Sequence, residues 1–330
     1  MRPVPVRPSL LLAALLCAAP AAALADADDA REWLARMEQA VESLSYEGTF
    51  VHMVGNSMET MHVVHRSIDG QVAERLFSRD QPGREVLRHN DKVTCIFPEQ
   101  RAVLVERRKA HRGGPLRSAL PEEGGEIERW YEFLVAGEGR KLGRLTKVIE
   151  IRPRDAYRYG HRLWLDTITV MPLKIQLLDH DGVAVEQIQF VSIVVPAEIS
   201  DARLQPDVEV EGFTWFEPER ASQEPPAAVH WTVVQPPPGF RLKQARVRAL
   251  PGSDHPVEHL VYSDGLATVS VFVEPAEATD RELAGLSRLG AAHAFTLIVE
   301  GRQITAVGEV PPQTVEHIAR SVRAADGETH

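Results

Sequence analysis

Residues 46–66, YEGTFVHMVGNSMETMHVVHR, mark the point at which the chain changes from a helical to a strand-like pattern. Before them, residues 28–44 carry apolar side chains at spacings of three and four, which predicts an amphipathic helix. From Tyr46 the apolar period becomes two, which indicates strands. Residues 130–135 could form either helix or strand. The period-two pattern predicts strands at 46–54, 58–66, 71–77, 84–89, 92–97, 102–106, 144–152, 157–166, 173–179 and 183–193. One helix followed by so many strands predicts an α+β fold with a long antiparallel sheet.

A proline-rich segment separates this sheet from a second unit. Residues 217–229 hold three prolines and three glutamates, and Val229 is their only branched apolar residue, which is typical of an extended linker. Beyond it we predict a final helix that begins at Pro311-Pro312, and strands at 240–249, 257–263, 267–274, 292–299 and 302–308. We therefore expect a large domain over 26–216, a linker over 217–229 and a smaller antiparallel α+β domain over 230–330.

The N-terminus has the order of a secretory signal peptide. Arg2 and Arg7 supply positive charge, an apolar stretch follows, and Ala23-Leu24-Ala25 provides small residues before Asp26. The apolar stretch is too short to span a bilayer as a retained anchor, although an anchor is the alternative interpretation. We therefore expect residues 1–25 to be removed after Ala25, and the mature protein to be exported.

Composition and motifs exclude several classes of protein. The chain has 330 residues and a formal net charge of −10, which argues against general affinity for nucleic acid. Its two cysteines cannot build a Cys-based zinc site. It also lacks Gly-x-Ser-x-Gly, Gly-x-Gly-x-x-Gly, His-Glu-x-x-His and a phosphate-binding Gly-Lys-Ser/Thr loop. We expect no enzymatic activity, no cofactor and no metal.

Two local features could bind a ligand. Residues 101–117 contain six Lys or Arg side chains against a single acid, Glu106, which describes either a solvated loop or an anion site for phosphate groups. Met53, Met58 and Met61 lie near Phe50 on adjacent predicted strands. These side chains form either ordinary core or the lining of an adaptable apolar cavity, because thioethers fill irregular spaces.

Four motifs stand out across the two predicted domains. They are Arg158-Tyr159 running to Leu163-Trp164-Leu165-Asp166, then Pro172-Leu173-Lys174 with Leu177-Leu178-Asp179-His180-Asp181-Gly182, Tyr262-Ser263-Asp264-Gly265-Leu266, and Val307-Gly308-Glu309-Val310-Pro311-Pro312-Gln313-Thr314. In this order they resemble the MucB/RseB family over essentially the whole mature chain, and the last two are the most specific. None is a catalytic signature.

The resemblance implies a periplasmic regulatory protein. Such a protein binds the periplasmic region of a MucA/RseA-type anti-sigma factor, protects it from the first proteolytic cut, and so keeps the envelope-stress sigma factor inactive. Lipid or lipopolysaccharide releases the partner. The resemblance also implies a LolA-like larger domain, with a half-open curved sheet closed by helices, and a smaller domain that binds the anti-sigma factor.

The resemblance suggests roles for particular residues. Lipopolysaccharide would place its acyl chains against Phe50, Met53 and Met61, and its phosphates against four basic residues, Arg107, Arg108, Lys109 and Arg112. The basic segment is not a hallmark of the family. For the partner we expect exposed contacts at Arg246, Tyr262 and Asp264, the alternative being that Asp264-Gly265 is simply a turn.

A second function uses the same cavity. The chain could be a periplasmic lipid or lipoprotein carrier of LolA type, but the domain at 230–330 favours the regulator because a carrier needs only the cavity. The sequence leaves open whether the chain forms a homodimer.

Overall fold

The computed structural model describes two main sheets, each with its own buried core. This arrangement confirms the predicted α+β class with a larger and a smaller antiparallel sheet. The described residues are 21–80, 84–107, 116, 126–217, 229–248, 255–276 and 284–325, with side chains from Asp29 onward. Within them no helix combines the length and the apolar character needed to cross a bilayer.

The larger sheet has twelve strands. They are β1 Tyr46–Val54, β2 Ser57–Ile68, β3 Gln71–Ser78, β4 Glu85–His89, β5 Lys92–Phe97, β6 Ala102–Arg107, β7 Tyr131–Lys141, β8 Arg144–Pro153, β9 Gly160–Asp166, β10 Pro172–Leu178, β11 Ala184–Val194 and β12 Thr214–Phe216. Their order is β12-β6-β5-β4-β3-β2-β1-β11-β10-β9-β8-β7. Pairing of β1 with β11 joins two antiparallel meanders, and β12 and β7 stand at opposite edges, so the sheet is open.

One helix, α1 Ala21–Ser43, covers the inner face of this sheet and packs mainly against β7. Its buried side chains recur at spacings of three and four, which confirms the amphipathic pattern. They contact inward-facing residues of β1, β7, β8 and β9 in a single core. Two short 3-10 helices, Ile127–Arg129 and Asp201–Leu204, precede β7 and β12. The buried residues of α1 are Ala30, Leu34, Met37, Ala40 and Val41.

The smaller sheet has six antiparallel strands covered by one helix. The strands are β14 Arg241–Arg248, β15 Val257–Ser263, β16 Thr268–Pro275, β17 Gly285–Leu289, β18 Ala292–Val299 and β19 Arg302–Gly308, in the order β14-β15-β16-β19-β18-β17. The helix α2 Pro312–Arg320 begins at the predicted proline pair and packs on β18 and β19. A further pair, β13 Trp231–Val233 with β20 Val322–Ala324, closes the domain.

Several elements differ from the sequence prediction. Of the ambiguous residues 130–135, Tyr131 and those after it belong to the long strand β7, whereas Trp130 ends the 3-10 helix that precedes it. The short strands β12, β13 and β20 and the exposed strand β17 were not predicted, because three to five residues carry too little periodicity. Strand β12 pairs parallel to β6, an exception in an otherwise antiparallel sheet. Residues 1–20 of the predicted signal peptide and 218–228 of the predicted linker lie outside the described residues, so those boundaries stay predictions.

Candidate functional site

All four sequence motifs contribute residues where the two domains touch. The loop between β8 and β9 leaves the large sheet and carries Arg158 into the smaller domain. The turn between β15 and β16 supplies Asp264, and the start of α2 supplies Gln313 and Thr314. Residues distant in the chain therefore form one junction.

Arg158 is the centre of the junction. Its side chain is 0% exposed, and it is the largest fully buried side chain among the described residues. The Nη1 group donates to Asp264 Oδ2 at 2.7 Å, Nε donates to Asp155 Oδ1 at 2.9 Å, and Nη2 donates to the carbonyl of Pro238. A buried guanidinium must have such partners, because an unpaired charge in this environment is strongly unfavourable.

Aromatic rings surround the same guanidinium. Its Cζ lies 5.3 Å from the Trp130 ring centre, 5.5 Å from Tyr131 and 5.2 Å from Phe240, distances at which a cation is attracted to the ring face. Gly239 lets the backbone approach Trp130: its φ is +86°, and a Cβ atom there would lie 2.6 Å from the indole ring. Any larger residue would push the indole away from the Arg158 side chain.

Asp264 connects the ion pair to the turn that holds it. Its Oδ1 accepts hydrogen bonds from the backbone N–H groups of Leu266 and Ala267, at 2.9 and 2.8 Å. Its Oδ2 accepts from Arg158 and, at 3.0 Å, from the Tyr131 hydroxyl. Burial, together with the nearby Asp264 carboxylate, raises the pKa of Tyr131 well above its ordinary value of 10, so the hydroxyl keeps its proton and donates.

The start of α2 makes a second contact. The Thr314 hydroxyl donates to the carbonyl of Tyr157 at 2.7 Å, and the Gln313 amide donates to the carbonyl of Ala156 at 2.6 Å. The Tyr157 ring meets His317 edge to face, with 5.5 Å between centres. These bonds satisfy backbone acceptors of the 154–159 loop and fix its position on the helix.

A third contact is apolar and lies at the β17–β18 turn. Tyr159 and Leu177 of the large domain pack with Ala291 of the small one, and Val54 lies beside them. Gly290 approaches Val54 so closely that a Cβ would lie 3.0 Å away. The junction therefore combines a buried ion pair, a helix start and an apolar contact, and its geometry is far more specific than a simple tether would provide.

A groove of about 530 Å³ lies beside the junction. Its walls come from the ends of β8, β9 and β10 and include Asp155, His161 and His180. His161 is buried, and its Nδ1 has no hydrogen-bond partner among the described residues. Burial lowers its pKa to about 4, so the ring is neutral at neutral pH. Within the part of the chain that the structure describes, no three His, Cys, Asp or Glu side chains come together as metal ligands.

The residues proposed for lipid lie in different environments. Phe50 and Met61 are buried in the core beneath α1, where Phe50 meets Phe190 edge to face. Met53 is 39% exposed. The structure therefore brings Phe50 and Met61 together as core residues, and an acyl-chain role for the three side chains stays a prediction.

The basic residues proposed for phosphate are only partly described. Arg107 is exposed at the end of β6 and forms an ion pair with Asp91 at 3.1 Å. The other three, Arg108, Lys109 and Arg112, lie outside the described residues. Their role stays a prediction.

The residues proposed for the partner are not exposed as expected. Tyr262 is 3% and Asp264 7% exposed, so the expectation of exposed side chains is wrong for both. The Tyr262 hydroxyl accepts a hydrogen bond from the backbone of Val233 and so joins β15 to β13. Arg246 is half-buried on β14. The turn interpretation of Asp264-Gly265 describes the local structure correctly, but it misses the contact with Arg158.

Comparison with known proteins gives a consistent result over both domains. Family models for the MucB/RseB N-terminal and C-terminal domains match residues 29–208 and 225–323. The sigma factor AlgU regulatory protein MucB of Pseudomonas aeruginosa is 35% identical over 321 residues, which cover 95% of this chain and 96% of that protein.

Solved structures agree with the sequence comparison. The Pseudomonas aeruginosa MucA/MucB complex matches with a TM-score of 0.70 at 32% identity, covering 90% of this chain and 99% of that one. A crystal structure of MucB matches with a TM-score of 0.60 at 31% identity, covering 90% and 98%. On this evidence the chain belongs to the MucB/RseB family.

Proposed function

We propose that this chain binds the periplasmic region of a MucA/RseA-type anti-sigma factor and protects it from the first proteolytic cut, so that it negatively regulates a sigma factor. The observation that carries the proposal is the match to MucB in its complex with MucA, which spans both domains and 90% of this chain. The relatives are named as regulatory proteins, and the absence of catalytic motifs in the sequence agrees with a binding role.

The arrangement of the domains supports this proposal. The match to MucB complexed with MucA has a TM-score of 0.70, whereas the match to the structure of MucB has 0.60, at nearly equal sequence identity. At nearly equal identity, this chain therefore resembles the complex more closely than it resembles that structure of MucB.

We further propose that lipid or lipopolysaccharide releases the partner through this junction. Phe50 and Met61 lie in the same buried core as the apolar face of α1, so acyl chains can reach them only if this core opens. The helix packs on β7, whose first residue is Tyr131, and Arg31 of α1 forms an ion pair with Glu128 at 3.2 Å. A shift of α1 would therefore disturb the groups that surround Arg158.

The energetic requirement of such a switch is large. A full reversal from mostly bound to mostly free needs lipid to prefer the released state by about 5.5 kcal/mol. The junction can contribute to that preference only through contacts that differ between the bound and the released arrangement.

The proposed location is the periplasm. The N-terminal order of positive charge, apolar stretch and small residues supports export with cleavage after Ala25. Edman sequencing or mass spectrometry of the protein recovered from a periplasmic extract tests this, with Asp26 expected as the first residue.

The decisive experiment measures affinity for a peptide of the periplasmic region of Pseudomonas aeruginosa MucA, with and without lipopolysaccharide. A regulator binds the peptide and loses affinity when lipopolysaccharide is added. A lipid or lipoprotein carrier, the alternative, binds lipopolysaccharide and leaves the peptide free in both conditions. Asp264→Asn should change the dependence of peptide affinity on lipid, whereas Asp155→Asn serves as the matched control within one domain.

A further inference from the structure

One end of the large sheet exposes three apolar side chains, two on neighbouring turns and one at the start of β8. Leu142 lies at the tip of the β7–β8 turn and Leu145 follows it, while Ile168 lies in the β9–β10 turn and is 88% exposed. The turns are adjacent because β8 pairs with β9, with Thr146 opposite Asp166. Single exposed apolar residues are common, but three at adjacent tips of one sheet end form a patch.

The two turns are tied together. The backbone N–H and the hydroxyl of Thr167 both donate to the carbonyl of Leu145, at 3.1 and 3.3 Å. Asp166, which is buried, accepts from the backbone of Ile168 at 3.0 Å and forms an ion pair with Arg144 at 2.8 Å. The hydrogen bonds of this turn therefore fix Ile168 in its exposed position.

Positive charge surrounds these tips. Residues 139–147, GRKLGRLTK, carry four basic side chains, in a chain whose net charge is −10. Two of them are paired, Arg144 with Asp166 at 2.8 Å and Lys147 with Glu138 at 3.2 Å, so among the described residues the charge available to an anion comes from Arg140, Lys141 and the neighbouring Lys174. On the outer face of the sheet, Lys141 lies 5.2 Å and Lys174 4.7 Å from the ring centre of Trp164. Among the described residues no carboxylate forms an ion pair with either lysine, so their charge remains available to an anion. Burial and the nearby charges of Lys141 and Arg162 lower the pKa of Lys174, which agrees with uncompensated positive charge.

We propose that this end of the sheet docks on an anionic phospholipid bilayer. We call the surface the basic tip, and it comprises Arg140, Lys141, Leu142, Leu145, Ile168 and Lys174. The apolar tips would enter between the head groups, the Lys and Arg side chains would bind lipid phosphates, and Trp164 would lie at the level of the head groups. Projecting turns suit a bilayer better than an acidic protein, since they offer no groove in which a polypeptide could lie.

This proposal goes beyond the binding of an anti-sigma factor. A partner that spans the membrane holds the protein near the bilayer by one attachment, and the basic tip adds a second that needs no partner. The two attachments would fix the orientation of the large domain relative to the membrane surface. Such a second contact raises the effective concentration of the protein at its partner.

The test is sedimentation of the full mature chain with vesicles of phosphatidylcholine, with and without phosphatidylglycerol. We expect binding only when phosphatidylglycerol is present, and weaker binding as salt increases. Ile168→Asp should reduce binding at least tenfold. Lys141→Gln combined with Lys174→Gln should reduce it about twenty-fivefold, at about fivefold for each basic side chain. Leu289→Asp is the matched control, because Leu289 is 84% exposed but lies on the other domain. This variant should bind vesicles like the parent protein.

Other outcomes would overturn the proposal. They are absence of binding to phosphatidylglycerol vesicles, equal binding to both kinds of vesicle, and equal loss in Ile168→Asp and Leu289→Asp. Capture of polyglutamate at the same lysines without vesicle binding would indicate an acidic protein partner instead. The lysine variants alter only half-exposed side chains, so they decide the matter if Ile168→Asp disturbs folding. Affinity for the anti-sigma peptide in solution should be unchanged in all variants, which separates this test from that of the proposed function.

Discussion

Asp264→Asn should weaken the junction between the domains more than any other conservative change of one carboxylate. The amide oxygen can keep the two backbone bonds of Oδ1, so the turn itself is preserved. The amide nitrogen then replaces Oδ2 and faces two donors, Arg158 Nη1 and the Tyr131 hydroxyl. Removal of one member of a buried ion pair costs about 3–5 kcal/mol. Because Asp155 and the Pro238 carbonyl still accept from Arg158, we expect the lower end, about 3 kcal/mol.

Urea unfolding followed by tryptophan fluorescence measures this change, since Trp130 lies against Arg158. The control is Asp155→Asn, which alters the same kind of group on the same arginine but within one domain and at a half-buried position. It should cost about 1 kcal/mol. Small-angle scattering adds an independent measurement, because only Asp264→Asn should increase the radius of gyration through separation of the domains.

A second variant tests the cause of the effect. Adding Arg158→Met to Asp264→Asn removes the stranded charge, so the double variant should recover more than about 1 kcal/mol relative to Asp264→Asn alone. The reasoning fails if Asp264→Asn lowers the free energy of unfolding no more than Asp155→Asn does. It also fails if the double variant loses the sum of the two single-variant losses, because the buried ion pair would then not hold the junction.

Three further predictions concern single residues. Gly239→Ala should lower the free energy of unfolding by about 2 kcal/mol in urea, because its Cβ would lie 2.6 Å from Trp130 at a positive φ; an unchanged midpoint would contradict this. Thr314→Val leaves the Tyr157 carbonyl without its donor and should cost about 1–2 kcal/mol, whereas a loss below about 0.5 kcal/mol would mean that the bond is replaced. The folded-state pKa of His161 is lowered to about 4, so its contribution to stability is complete above the unfolded value of 6.5 and is lost as pH falls towards 4. The loss is roughly 3 kcal/mol, and thermal unfolding at several pH values should show it in the parent protein but not in His161→Phe; parallel pH curves would refute it.

Local patterns in the sequence predicted most of the regular elements. Strands 46–54, 92–97, 257–263 and 302–308 were predicted with the bounds that the structure has. Each has a buried face, so apolar and polar residues alternate within a few positions and the signal is local. The final helix was predicted from its proline pair and one apolar stripe.

The candidate site could not be predicted in the same way. Arg158 and Asp264 lie 106 residues apart, and no local pattern around either residue indicates that they form an ion pair. Arg158 was singled out only as part of a family motif, and Asp264 as part of a motif and as an expected contact for the partner. Tyr262 and Asp264 were expected at the surface because polar groups usually are. Tyr262 is buried because its own domain supplies its partner, the backbone of Val233, and Asp264 is buried because the other domain supplies Arg158 and Tyr131.

The sequence by itself determined the kinds of element, their order and the division into a large and a small sheet, since these follow from the spacing of apolar residues along short segments. Only the tertiary structure decided that β11 returns to pair with β1, that Phe50 and Met61 lie in the same buried core as α1, and that Arg158 is buried at the junction. The physical reason is that pairing and burial depend on groups brought together from distant parts of the chain, and a charge or an apolar side chain does not specify by itself which distant group will satisfy it.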